Sequence, residues 1–66
     1  MNNIAAVLID KGLTKTWLAK QLGKSKASVT LYSKNMVQPP LDVLFQIASI
    51  LEVDPRELIN VKSNNK

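Results

Sequence analysis

Sixty-six residues make one small domain at most, in which roughly 60% of the unfolded chain's surface can be buried, so stability is marginal. With no cysteine and no histidine, disulfides and the usual zinc ligands are excluded, so stability must come from a well-packed helical core, with or without a partner chain. The net charge of +4 is unevenly laid out. Six lysines and no acid run from Lys11 to Lys34, and then Asp42, Glu52, Asp54 and Glu57 outweigh Arg56 up to Val61, which suggests a polyanion-facing half.

In chain order, Ile4, Val7 and Leu8 recur at helical spacing, with Asn2 or Asn3 as the cap. Lys11-Gly12 ends this helix, a cation at the negative terminus and then a residue that tolerates left-handed backbone. Thr14 caps a second helix through Trp17, Leu18, Ala19 and Leu22, stopped by Gly23. Ser25 caps a third, holding Ala27, Val29, Leu31 and Tyr32, with Asn35 as its left-handed end. Pro39-Pro40 interrupts the chain, and Pro40 can itself occupy the first turn of a fourth helix. That helix is given an apolar face of Leu41, Leu44, Phe45, Ile47, Ala48 and Leu51. Asp54-Pro55 starts a last short helix running from Arg56 to about Val61. The expected organisation is a single domain over residues 1–61 and a polar, frayed tail over 62–66.

Few aromatics and two glycines disfavour a β-rich fold, so the class is all-α. No apolar run approaches the ~20 residues that span a bilayer, and the start lacks a signal-peptide pattern, so a soluble, cytoplasmic protein is expected. Enzyme chemistry is disfavoured. Histidine and cysteine are missing, the five acids lie outside the lysine-rich half, and no Gly-rich phosphate loop is present.

The informative segment is Lys15 to Lys34, KTWLAKQLGKSKASVTLYSK. It suits two helices crossing steeply through a tight turn: Ala19 at the closest approach, Gly23 at the turn, and Leu18 and Leu22 facing the core. Val29 and Tyr32 form the buried side of the next helix, leaving Lys26, Ala27, Thr30, Leu31 and Lys34 outward.

Together with Pro39, Leu41, Leu44, Ile47-Ala48, Leu51-Glu52-Val53 and Glu57-Leu58-Ile59, this segment resembles the Cro/cI-type (XRE) helix-turn-helix regulators over residues 3–61. The resemblance implies a compact five-helix bundle of the phage-repressor type. Its function would be that of a sequence-specific, double-stranded DNA-binding transcriptional regulator, a repressor. Helix 26–34 would then read the major groove. Lys26 would reach guanine or a phosphate, Ala27 a thymine methyl, and Ser28 and Thr30 a donor or acceptor. Leu31 either makes an apolar base contact or packs against Trp17 or a partner. Phosphate contacts are implied for Lys15 and Thr16 at a helix N-terminus, and for Lys24, Lys34 and Asn35 as flanks. Trp17 either lends its indole N–H to phosphate or contributes buried area.

A single reading helix contacts few base pairs, so the resemblance implies a homodimer on a palindromic operator. Val43, Ile50, Val53 and Val61 are the expected interface, as apolar residues surplus to the core. No cofactor, metal, membrane or small-molecule ligand is expected. The alternative is a protein-interaction domain on the same fold, antitoxin-like or an adaptor.

Overall fold

The computed structural model describes residues 2–59; Val61, the tail at 62–66 and the expected end of the last helix lie outside them. Five helices follow one another: α1 Ile4–Lys11, α2 Lys15–Leu22, α3 Lys26–Ser33, α4 Leu41–Leu51 and α5 Pro55–Leu58. Among the described residues no helix is long and apolar enough to cross a membrane.

The helix ends are set by local chemistry. Gly12 and Gly23 take left-handed backbone at φ 69° and 68°, and each returns its amide to the last turn of the helix before it. Thr14 Oγ1 accepts from the Trp17 amide at 3.0 Å, and Ser25 Oγ accepts from the Ser28 amide at 3.1 Å. Asp54 and Glu57 form a reciprocal capping box at α5, with Pro55 in its first turn. At α1 the work falls to Asn2, whose side-chain oxygen accepts from the Ile4 amide at 3.1 Å. Asn3 stands at the cap position but makes no side-chain cap.

The core is one cluster of Ile4, Leu8, Leu18, Ala19, Val29, Val43, Leu44, Ile47, Ala48, Leu51 and Leu58. Each fully buried aliphatic among them is worth ~1.5–3 kcal/mol over leaving it in water. α2 and α3 form the most extensive helix pair, and Ala19 of α2 is buried in the core.

Three expectations are corrected here. Pro40 does not enter the first turn of α4: it precedes the helix with extended backbone (ψ 157°), Leu41 is the first helical residue, and no side chain caps this end. The apolar stripe of α4 is rotated from the expected one. Val43 is 6% exposed and belongs to the core, while Leu41 and Phe45 stand at 64% and 52%. Residues 43, 44, 47, 48 and 51 make one continuous helical stripe; 41 and 45 fall beyond its edge. Finally, α5 stops at Leu58 instead of continuing toward residue 61. Ile59 is extended and pairs antiparallel with Asn2, where the Asn3 amide donates to the Leu58 carbonyl at 2.8 Å.

Candidate nucleic-acid interface

An open groove of about 640 Å³ runs between α1, the start of α2 and the outer face of α3. Its floor is apolar, from Ala5, Leu8, Ile9 and Leu13, and its rim carries Thr14, Lys15, Thr16, Lys26, Thr30 and Lys34. No acidic side chain lines it. Rim residues up to twenty positions apart in the chain, Thr14 and Lys34, are thereby placed on one face, with the α2 N-terminus beside the outward side of α3.

The two helix starts differ in what they leave open. At α2 the Thr14 hydroxyl takes the Trp17 amide, so the earlier amides of Lys15 and Thr16 point out at the positive end of the helix. At α3 the Ser25 hydroxyl accepts from the Ser28 amide and donates to the Ser28 hydroxyl at 3.1 Å. The first turn of α3 is therefore held stiffly, with Lys26 and Ala27 exposed and Ser28 half-buried. Leu31 lies one turn further, 41% exposed. Thr30 is half-buried within the groove wall.

The remaining expected contacts divide. Lys24 is exposed beside the α2–α3 turn but outside the groove. Trp17 is half-buried and packs against the core, which favours the buried-area reading of this residue. Asn35 has the expected left-handed backbone at φ 61°, yet its side chain is engaged inside the fold. Its Oδ1 accepts from the Asn2 amide at 2.7 Å and from Gln38 Nε2 at 3.2 Å, and its Nδ2 donates to the Asn2 carbonyl at 3.4 Å. These bonds tie down the chain after α3. Val43 leaves the expected partner surface because it is core, and Ile50 and Val53 are half-buried against that same core. Val61 lies outside the described residues.

What the sequence reading missed is the share of α1 in this face. Ile9, exposed and off the apolar stripe of α1, lines this groove with Ala5 and Leu8. Gln38, which with Asn2 organises the turn after α3, carried no pattern of its own, and Asn2 was legible only as a helix cap.

A family model for the Cro/C1-type HTH DNA-binding domain matches residues 3–63. The chain belongs to the Cro/C1-type helix-turn-helix family. The fold of this Cro/C1-type domain also matches a solved crystal structure, that of a candidate DNA-binding protein from Bacteroides fragilis. The two share 47% identity over 91% of this chain and 97% of the other, with a TM-score of 0.89. No curated protein matches the sequence significantly. In the helix-turn-helix of this Cro/C1-type domain, α2 and α3 are the paired helices and Gly23 is the turn between them.

Proposed function

We propose that this Cro/C1-type domain is a sequence-specific regulator of transcription, a repressor, that binds double-stranded DNA in the cytoplasm as a homodimer on a palindromic operator. The observation that carries the reading is the acid-free groove that gathers Lys15, Thr16, Lys26, Thr30 and Lys34 on one face. A DNA backbone strand follows this rim, with a phosphate at the open amides of Lys15 and Thr16 and the ammonium groups of Lys15 and Lys34 around it. α3 then enters the major groove start first. Lys26 donates to guanine O6 and N7, Ala27 and Leu31 meet thymine methyl groups, and Ser28 and Thr30 donate or accept at the edges. Lys24 adds a flanking phosphate contact. Lysine offers a point charge where arginine would offer a fork, so base preference rests on several modest contacts and on a second half-site.

Selection of bound duplexes from a random pool tests this. The expected product is a two-fold symmetric site whose base preference changes with Lys26→Ala and Leu31→Ala. Recovery of no shared sequence would reduce the protein to a non-specific binder. The exposed pair Leu41 and Phe45 favours a second reading, a protein-interaction domain on the same fold. A salt titration separates the two, because phosphate contacts weaken steeply with salt and an apolar interface does not.

A further inference from the structure

We infer that the basic groove between α1, α2 and α3 also receives an acidic, amphipathic helix from a second protein, which shuts DNA out of it. This deepens the DNA-binding reading above by naming a regulator of the same site, and it rests on that reading for its consequence.

The floor is the part of this groove that DNA leaves unused. A phosphate strand along the rim satisfies Lys15, Lys26 and Lys34 and leaves Ala5, Ile9 and Leu13 uncovered. Ile9 is 79% exposed, more than any other large apolar side chain among the described residues. The volume of about 640 Å³ is that of a groove able to hold a partner's apolar side chains (~300–1,000 Å³). An apolar floor with a few charged groups above it is also the usual make-up of a binding cleft.

Charge selects the occupant. Three lysines stand on the rim and no acid lines the groove. Asp10, the neighbour of Ile9 in sequence, lies instead by a separate depression with Asn3 and Glu57. A wholly apolar partner gains nothing from the ammonium groups, and a basic one is repelled. Carboxylates flanking an apolar stripe match both parts. The walls select its conformation. They are helices whose backbone groups are paired internally, apart from the open amides at Lys15 and Thr16. An extended segment would find no sheet edge here for its own backbone, whereas a helix satisfies itself. A rod can also descend between the three helices toward Leu8, buried at the base, where a flat bilayer stops at the rim. Its carboxylates then stand where phosphates would, so helix and DNA exclude one another.

The test uses four synthetic helical peptides of about four turns. One stripe is leucine or serine, and the remaining positions are glutamate or lysine. Binding to the full chain is read from amide chemical shifts without DNA, and then by competition against a labelled random duplex. The expected result is that only the leucine–glutamate peptide moves the amides of Ile9, Leu13 and Lys15 and displaces the duplex. Ile9→Ser, at an exposed position, should weaken that peptide roughly tenfold or more. Lys26→Ala/Lys34→Ala should weaken it most at low salt. Absence of shifts in the groove at about 1 mM peptide, where even weak docking registers, overturns the inference. So does equal binding by the serine–glutamate or leucine–lysine peptide, or shifts centred on Leu41 and Phe45. Phosphatidylglycerol vesicles that move the groove amides when the peptide does not would also overturn it, in favour of a lipid surface. A duplex that stays bound while the peptide docks removes the exclusion. Because docking is read without DNA, its failure and the failure of duplex binding are separate results.

Discussion

The amide of Asn2 donates to the side-chain oxygen of Asn35 at 2.7 Å, joining two residues 33 positions apart. Asn35 returns the contact through Nδ2 to the Asn2 carbonyl, so its carboxamide plays the part of a neighbouring strand for the first described residue. The Asn2 side chain in turn donates to the Tyr32 carbonyl at 2.9 Å and to Gln38 Oε1 at 3.0 Å, and accepts from the Ile4 amide. The start of α1 and the end of α3 are thus held by one polar knot, and Asn2 itself is buried.

Removing either asparagine leaves buried polar groups without partners, which costs ~1–3 kcal/mol. Asn35→Ala should be the worse of the two substitutions at that site, because it loses both the hydrogen bonds and tolerance of φ 61°. Asn35→Gly keeps the backbone and loses only the bonds. Urea denaturation of both, with Asn2→Ala and the Asn2→Ala/Asn35→Ala pair, gives the check. The double variant should fall short of the sum of the singles; strict additivity would show that the knot is not coupled.

Ala19→Leu should destabilise the fold by ~1–3 kcal/mol, because three extra carbons must fit where the alanine is already buried in the core. Circular dichroism melting is the measurement. A variant that melts like the parent would mean the α2–α3 contact has slack that the buried alanine does not suggest.

Lys15→Ala and Lys26→Ala should separate positioning from reading. Lys15→Ala removes a phosphate contact, so the slope of log affinity against log salt falls by about 1, whereas Lys26→Ala removes a base contact and leaves the slope nearer the parent's. Lys15→Ala should weaken all duplexes alike. Lys26→Ala should also relax preference at one base pair. Fluorescence anisotropy at several salt concentrations distinguishes them, and identical behaviour on every sequence would restrict Lys26 to phosphate.

Acid should loosen the α5 end first. The Arg56 side chain, bonded to Asp54 at 2.9 and 3.1 Å, and then the Arg56 amide hold the Asp54 carboxyl at about 2, below its ordinary 3.8. A carboxyl depressed in the folded state binds its proton more weakly there than in the unfolded chain. Its contribution is therefore complete above pH 3.8 and is lost as pH falls through about 2. The pair is exposed, so the effect is small. Asp54→Asn should flatten the pH dependence of stability in that window, and an unchanged profile would show that the cap contributes nothing.

Much of this architecture was legible because its punctuation is local. Gly12, Thr14, Gly23, Ser25 and Asp54-Pro55 act on amides within a few residues of themselves, so the bounds of α2, α3 and the start of α5 followed from residue chemistry alone. Asn35 was half legible: its left-handed backbone is a local preference, whereas its side-chain partners sit at the far end of the chain. The rotation of α4 was not legible. Its sequence, LDVLFQIASIL, is apolar almost all round, and such a helix offers more than one stripe as the buried one.

From the order of residues alone came the all-α class, the two helices around Gly23, the lysine-rich side of the pair and the family resemblance, since each depends on neighbours within a turn or two. Tertiary structure decided that α1 floors the groove, that Val43 goes inward while Leu41 and Phe45 stay out, and that Ile59 returns to pair with Asn2. Those outcomes follow from which surfaces meet when five helices close on a single core. That is a choice among burial arrangements of similar local cost, made only when the whole chain packs.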